Sequence, residues 1–254
     1  MIYDLQKADT WKRISATIFD IIIMFILFVG ISFGLSAALN YDEPFDRLNA
    51  AYEEYSKDTG LSVEVLMLGD DSELTDAQKV LLDETIQRIE KDVEIGNSLY
   101  VMVNLTLIIV SVGFLLTFII LEFLVPVILG NGQTMGKKIF GIGVMRYDGV
   151  KVSNLLLFVR AILGKCTVVW LVPAFSLILT LFGGAGIFGL ILILVIYGTQ
   201  LGLFLFSRDR TTIHDLIAQT VTVDLASQMI FETPEALLEY KQKMQAEKAS
   251  KANY

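Results

Sequence analysis

Long apolar runs alternate with shorter charged segments along the chain. Between residues 14 and 40 the one charged residue is Asp20, and residues 98–121 and 166–207 carry no charge at all. A helix needs about 20 mostly apolar residues to cross the hydrocarbon core of a bilayer. The 42 residues of the last run are too many for one such helix, and a glycine-rich turn at 183–186 divides them. The pattern predicts four transmembrane helices, at roughly 14–38, 98–121, 153–182 and 187–206.

The predicted fold class is an all-α membrane protein. It is a four-transmembrane-helix bundle with an extracytoplasmic helical insertion and a short cytosolic β-hairpin-like loop. The hydropathy pattern divides the chain into seven segments. The first four are an N-terminal segment with transmembrane helix 1 at 1–39, an acidic extracytoplasmic helical cap at 40–97, helix 2 at 98–129 and a cytosolic loop with a hairpin at 130–152. The last three are helices 3 and 4 at 153–207, a cytosolic membrane-proximal segment at 208–225 and an amphipathic tail helix at 226–254.

The predicted cap, residues 40–97, combines helical signals with a strong negative charge. It holds 16 Asp and Glu residues against five Lys and Arg residues. Thr75 and Gln78 have the spacing of a capping box, which opens a helix. Apolar side chains then recur at helical spacing over 82–93. Because Pro44 also marks the start of a helix, we predict a helical hairpin.

The loop at 130–152 combines glycines, lysines and a turn signal. Its 132–138 stretch is glycine-rich and basic, but it lacks the first Gly and the final Ser or Thr of a phosphate-binding P-loop. We predict instead a strand at 141–146, a turn at 147–149 and a second strand at 150–152. The lysines are expected to lie near anionic lipid headgroups.

Lys and Arg residues cluster in three short segments, at 7–13, 137–151 and 208–210. Such clusters favour the cytosolic side of a membrane. With four spans, all three fall on one side, which predicts a multi-pass cell-membrane protein with both termini in the cytosol. A signal peptide cleaved near 36–38 is the alternative, but it would leave an odd number of spans and break this agreement.

Composition excludes several classes of function. The chain is 54% hydrophobic with a mean hydropathy of +0.60, whereas soluble domains contain about 45–50% apolar residues. One cysteine, Cys166, and one histidine, His214, cannot build the usual Cys/His zinc sites, although the carboxylates leave a site for another metal open. No dense basic stripe indicates nucleic-acid binding. No nucleophile is placed with His214 and Asp215. We therefore expect the lipid bilayer as a partner, no cofactor and no enzymatic activity.

Charged residues near the predicted helix ends are the candidate chemistry. A charge in mid-membrane costs roughly 3 kcal/mol or more, so Asp20 marks a functional site by default. Arg13 lies seven residues earlier on the same helix face. Glu122, Arg160 and Asp215 are expected at the same membrane surface. These five residues form the predicted ion or charge network, in which Arg13 contacts Asp20, Asp215 or both.

A series of charged and glycine-rich motifs runs through the predicted membrane core: Arg13 and Asp20, Gly132-Gln133-Thr134-Met135-Gly136-Lys137-Lys138, Asp148-Gly149, Arg160, Arg210, His214-Asp215 and Thr220-Val221. Their order and spacing resemble the RDD family of bacterial membrane proteins, over about 11–41 and 95–223. The one arginine and two aspartates for which the family is named correspond to Arg13, Asp20 and Asp215. The resemblance implies a transporter, with cation/proton exchange proposed for some members, or an accessory partner of membrane proteins.

Two functions compete for the charged network. In a transporter, Asp20, with Glu122 or Asp215, binds a monovalent cation or a proton. Arg13 or Arg160 then sets the carboxylate's affinity, and four helices are few enough that a homo-oligomer is expected. In the alternative, the network is a fixed clamp, and the chain is an accessory or scaffold protein that binds and regulates another membrane protein. A cavity that reaches Asp20 favours transport, and a dry, saturated salt bridge favours the clamp.

Overall fold

α-Helices form most of the chain, as the hydropathy pattern predicts. The structure, a computed structural model, describes residues 6–72, 74–184, 186–207 and 209–252. Its elements in chain order are α1 Thr10–Ala38, α2 Asp42–Thr59, α3 Val63–Leu68, α4 Asp76–Ile89, α5 Val93–Ile119, the π-helical segment π1 Ile120–Leu124, α6 Val125–Leu129, α7 Met135–Ile139, β1 Ile142–Arg146, α8 Asn154–Phe158, the π-helical segment π2 Val159–Leu171, α9 Val172–Leu181, α10 Gly186–Phe206, α11 Ile213–Ile217, β2 Thr220–Asp224 and α12 Pro234–Ala252. The predicted fold class is confirmed.

Within the described residues, four helical stretches are long and apolar enough to cross a membrane. We number them spans 1 to 4: Thr10–Ala38, Val93–Leu129, Asn154–Leu181 and Gly186–Phe206. Each matches one predicted transmembrane helix. Span 2 begins five residues before its predicted start at 98. The reason is a cap, because the Asp92 side chain accepts the backbone N–H groups of Glu94 at 2.9 Å and Ile95 at 3.3 Å.

The chain forms two compact units, Leu27–Leu116 and the remainder, Met1–Ile26 with Thr117–Tyr254. In Leu27–Leu116, helices α2 to α4 and the start of α5 pack around one apolar cluster: Leu48, Tyr52, Leu61, Leu66, Leu82, Ile89 and Ile95. The predicted capping box is present, since the Thr75 N–H donates to Gln78 Oε1 at 3.0 Å. The acidic insertion is therefore helical and has its own core.

In the second unit, β1 and β2 form a small antiparallel sheet. Ile142 pairs with Asp224 and Arg146 pairs with Thr220 at the two ends of the ladder. The predicted turn after β1 is present, with the Arg146 N–H donating to the Val150 carbonyl at 2.9 Å. The predicted second limb at 150–152 forms one antiparallel bridge to β1, between Lys151 and Met145, whereas the ladder partner of β1 is β2. Residues 220–223 of β2 are all β-branched and all buried, which explains this preference.

The tail helix α12 is anchored to the same sheet region. Thr233 caps it, because its Oγ1 accepts the Ala236 N–H at 3.2 Å. Phe231 and Leu237 then bury against Val150. The helix predicted within 226–254 spans Pro234–Ala252, and the sheet links the C-terminal segment to the loop between spans 2 and 3.

Candidate functional site

Spans 2 and 3 both change from α- to π-helical hydrogen bonding where their charged residues lie. In π1 the Val125 N–H donates to the Ile120 carbonyl, and in π2 the Val172 N–H donates to the Thr167 carbonyl. Each segment is followed by a proline, which has no N–H to donate and clashes with an α-helical carbonyl four residues earlier. The wider π turn accommodates the proline, and π-bulges are frequent at functional sites.

Asp215, which is fully buried, is held from three directions. Arg160 donates to Asp215 Oδ1 through Nε at 3.0 Å and Nη2 at 2.7 Å. Thr212 donates to Oδ2 through its N–H at 3.2 Å and its hydroxyl at 2.7 Å. Arg13 Nη2 lies 3.5 Å from the same oxygen, and Arg13 Nη1 donates to the Arg210 carbonyl. These contacts tie span 1 and span 3 to α11.

The ionised form of Asp215 is strongly favoured. Burial by itself would raise the pKa of this carboxyl, but the positive charge of Arg160, with a smaller contribution from Arg13, holds the pKa well below its usual range. Asp215 is therefore a permanently charged, saturated carboxylate at neutral pH. Its geometry is that of the clamp and not of a group that exchanges protons.

Asp20 bonds to the N-terminal end of α7, through its N-cap and its second residue. The Gly136 N–H donates to Asp20 Oδ1 at 2.7 Å, and the Thr134 hydroxyl donates to Oδ2. A glycine is needed at 136, because a Cβ there would lie 2.2 Å from a backbone carbonyl oxygen of α1. Both donors are neutral. Among the described residues, Asp20 forms no salt bridge.

The interpretation of Arg13 as the partner of Asp20 is therefore corrected. Of the two predicted contacts of Arg13, with Asp20 and with Asp215, the structure contains the one with Asp215. Seven residues separate Arg13 and Asp20 by about 10 Å along the helix axis, which is too far for direct contact unless both side chains extend along it. Arg13 instead extends toward α11, with its guanidinium carbon 5.0 Å from the centre of the Phe204 ring.

Glu122 and Lys165 form a second ion pair, between π1 and π2. Lys165 Nζ lies 2.5 Å from Glu122 Oε2, and the two side chains are only 19% and 8% exposed. Lys165 follows Arg160 by five residues, about one turn of a π-helix. Both cations of span 3 therefore point toward the same region, and each is matched by a carboxylate from another element.

Lys137 differs from the other cations, because its Nζ is buried and has no hydrogen-bond partner within the described part of the chain. Burial lowers the pKa of this lysine well below its usual value, and the charges of Arg160 and Lys165 lower it further. The expectation that Lys137 reaches lipid headgroups is thus wrong. Lys138, the next residue, is exposed as expected.

His214 is buried behind the ion pairs. A Cβ on Gly164 would lie 2.6 Å from the His214 Cβ, so the glycine lets α11 pack directly on span 3. Burial lowers the pKa of His214 well below its usual value, which leaves the imidazole neutral at neutral pH. Its Nε2 lies 2.9 Å from the Thr212 hydroxyl.

A cavity of about 610 Å³ joins these groups, a size typical of ligand pockets. Its charged lining consists of Arg13, Asp20, Glu122, Lys137, Arg160 and Lys165. Its apolar wall includes Ile18, Ile21, Met24, Trp170, Leu201 and Phe204. Four of the five predicted network residues thus line one cavity, and the fifth, Asp215, lies directly behind Arg160. No group of three or more His, Cys, Asp or Glu side chains in the described residues is arranged to hold a metal ion.

Sequence reasoning missed four residues of this site: Thr134, Gly136, Lys137 and Lys165. A signal existed for Lys165, because it is a charged residue within predicted helix 3, where any charge indicates function. The other three lie in the glycine-rich motif at 132–138, but nothing in that motif predicts which residues they contact. Their partners lie in a helix more than 100 residues earlier or in a cavity formed by several elements.

The comparisons with known proteins agree with the resemblance seen in the motifs. The model of the RDD family matches residues 7–219. The match contains every charged residue that lines the cavity, together with Asp215. No curated protein and no solved structure matches the chain.

Proposed function

Since this chain belongs to the RDD family of membrane proteins, we propose that it is a multi-pass transporter of a small solute, with Asp20 as the carboxylate that exchanges a proton or a monovalent cation. The observation that carries this proposal is the cavity that reaches Asp20. Asp20 is a carboxylate in an apolar span whose contacts come from neutral donors. A group without a fixed counter-charge is the one that can change its ligand or its proton.

The contacts of Asp20 also suggest how binding is coupled to movement. Asp20 lines the cavity and at the same time holds the N-terminal end of α7 through Thr134 and Gly136. Lys137, the next residue, lines the same cavity. A proton or cation on Asp20 weakens these hydrogen bonds, because neutral acceptors bind donors less strongly than carboxylates do. Helix α7, which carries Lys137, then moves relative to α1.

The saturated carboxylates have a different role in this proposal. Asp215 and Glu122 are ion-paired, so they fix spans 1, 2 and 3 and α11 around the cavity. Removal of either charge leaves a buried cation unpaired, which is strongly destabilising. We place the protein in the cell membrane with its termini in the cytosol, from the distribution of Lys and Arg, and expect a homo-oligomer.

The test is flux across vesicles that contain the purified protein. We expect a pH gradient or a monovalent-cation gradient to drive a flux of protons or cations across the membrane in the wild type. The variant Asp20→Asn should lose this flux and still fold, because the amide oxygen can still accept one hydrogen bond. Asp148→Asn, which changes an exposed carboxylate of the neighbouring loop, is the matched control and should retain flux. A folded Asp20→Asn protein with unchanged flux would exclude Asp20 as the exchanging group.

A second function, that of an accessory protein that binds another membrane protein, is favoured by the acidic insertion. Helices α2 to α4 form a separate apolar core and expose a strongly acidic surface, which charge complementarity could match to a basic partner. Vesicles that hold folded wild-type protein and show no flux under proton, sodium or potassium gradients would favour this second function.

A further inference from the structure

The cations of the cavity are unequally neutralised. Arg160 is paired with Asp215 at 2.7 Å and Lys165 with Glu122 at 2.5 Å. Lys137 lines the same cavity, and its buried Nζ has no hydrogen-bond partner among the described residues. A buried amine without a hydrogen-bond partner is costly, and an oxyanion beside it would supply acceptors and favour its charged form.

The other half of the cavity is apolar and open at its side. Ile18, Ile21 and Leu201 line it and are 54%, 52% and 58% exposed. These residues belong to spans 1 and 4, whose exposed surfaces a bilayer covers. The apolar end of the cavity therefore opens toward the position of lipid acyl chains, while the cationic end lies inside.

We infer that this cavity binds an anionic amphiphile, with a phosphate head on Lys137 and an alkyl or acyl chain along Ile18, Ile21 and Leu201. The inference rests on the proposed function in one respect, because it names the solute class for the same cavity. Lysine is a common phosphate ligand, and a charge-assisted hydrogen bond to an oxyanion is short and strong. The phosphate oxygens of such a ligand would contact Lys137, and its hydrocarbon chain would contact the apolar wall.

Asp20 lies on the lining of the same cavity, and its charge opposes a nearby phosphate. A proton on Asp20 removes this repulsion, so proton binding and phosphate binding favour each other. This reciprocity gives a physical basis for moving an anionic amphiphile together with a proton.

Trp170 provides a direct reporter, because it lines the cavity and the only other tryptophan is Trp11. In a Trp11→Phe background, Trp170 fluorescence and the thermal unfolding midpoint are measured in nonionic detergent. The added compounds are dodecyl phosphate, inorganic phosphate and dodecyltrimethylammonium. We expect dodecyl phosphate to bind saturably and raise the midpoint, the cationic amphiphile to do neither, and inorganic phosphate to bind at least about 10-fold more weakly.

Matched variants locate the head group. Lys137→Met should weaken dodecyl phosphate binding about 10-fold or more, the loss expected for one charge-assisted hydrogen bond. Lys137→Arg, which keeps the charge, should largely retain binding, and Lys138→Met, at the exposed neighbour, should not change it. Equal binding by the Lys137→Met and Lys138→Met proteins would overturn the inference.

The remaining outcomes separate the ligand sources and the two proposals. Inorganic phosphate that binds as tightly as dodecyl phosphate would show a site for free phosphate and overturn the amphiphile. Lys137-dependent binding in a protein that shows no flux would retain the ligand and reject transport. Flux that depends on Asp20, without binding of dodecyl phosphate, would retain transport and reject the ligand.

Discussion

Asp215→Asn should be the most destabilising single change of charge in this site. The carboxylate is fully buried and accepts hydrogen bonds from Arg160 and Thr212, with Arg13 3.5 Å away. The amide removes the negative charge and leaves two buried guanidinium groups facing a neutral partner. Breaking a buried ion pair from one side costs about 3–5 kcal/mol. For a chain of this size, that corresponds to a decrease in the unfolding midpoint of roughly 6–20 °C.

Thermal unfolding of purified protein in detergent measures this decrease. Asp148→Asn is the control, since the Arg146–Asp148 pair is 2.6 Å long but its side chains are 42% and 44% exposed. Exposed ion pairs contribute less than about 1 kcal/mol to stability, so the unfolding midpoint of the control variant should hardly change. A midpoint for Asp215→Asn within the error of the control would refute the argument that Asp215 clamps the site.

The pH dependence of this effect has a definite sign. The charge of Arg160 overcomes the effect of burial, so the folded pKa of Asp215 lies below the unfolded value of about 3.9. The stabilisation is therefore fully present above the unfolded pKa and is lost as pH falls through the folded pKa. The difference in unfolding midpoint between the wild type and Asp215→Asn should stay constant from about pH 6 to about pH 8. A difference that grows or shrinks in this window would show that Asp215 titrates.

Three further predictions follow from other residues. Lys137→Met should raise the unfolding midpoint by a few degrees, since it removes a buried amine that has no hydrogen-bond partner in the described residues. Lys138→Met, the control, should leave the midpoint unchanged. A lower midpoint for Lys137→Met would show that the Lys137 amine stabilises the protein. Gly136→Ala should destabilise the protein and reduce flux, because its Cβ would lie 2.2 Å from a carbonyl oxygen of α1, whereas Gly96→Ala has free space and should be tolerated. Cysteines placed in 50–90 should react with an impermeant reagent added outside cells, and a cysteine at Lys138 should not; the reverse pattern would invert the proposed topology.

The sequence predicted the helices well because their signals are local. Apolar runs gave the four spans, and the Thr75–Gln78 spacing gave the start of α4. The partner of β1 was not predicted, because strand pairing across more than 70 residues depends on tertiary packing. The two π-helical segments were not predicted either, although a proline follows each of them, Pro126 after π1 and Pro173 after π2.

For the site, the types of residue were predictable but their pairing was not. The cost of an intramembrane charge identified Asp20, and it applies equally to Lys165, which was overlooked. The spacing of Arg13 and Asp20 on one helix suggested a pair, but a residue on α11 offered Arg13 a better geometry. Lys137 lies in a segment that the sequence predicts to be a surface loop, and only the folded chain shows that its Nζ is buried. Burial of such a group is a property of the assembled bundle.

The claim that solute passes through the cavity beside Asp20 is tested most directly by access from both sides of the membrane. Thr17 lines the cavity one turn before Asp20 and is exposed, so Thr17→Cys in a Cys166→Ala background reports on it. Sealed vesicles of defined orientation are treated with an impermeant thiol reagent inside or outside, with a cysteine at Lys138 as the one-sided control. The account predicts that Thr17→Cys reacts from both sides and that the control reacts from one. Reaction of Thr17→Cys from one side only, under every proton and cation gradient applied, would contradict transport through this cavity.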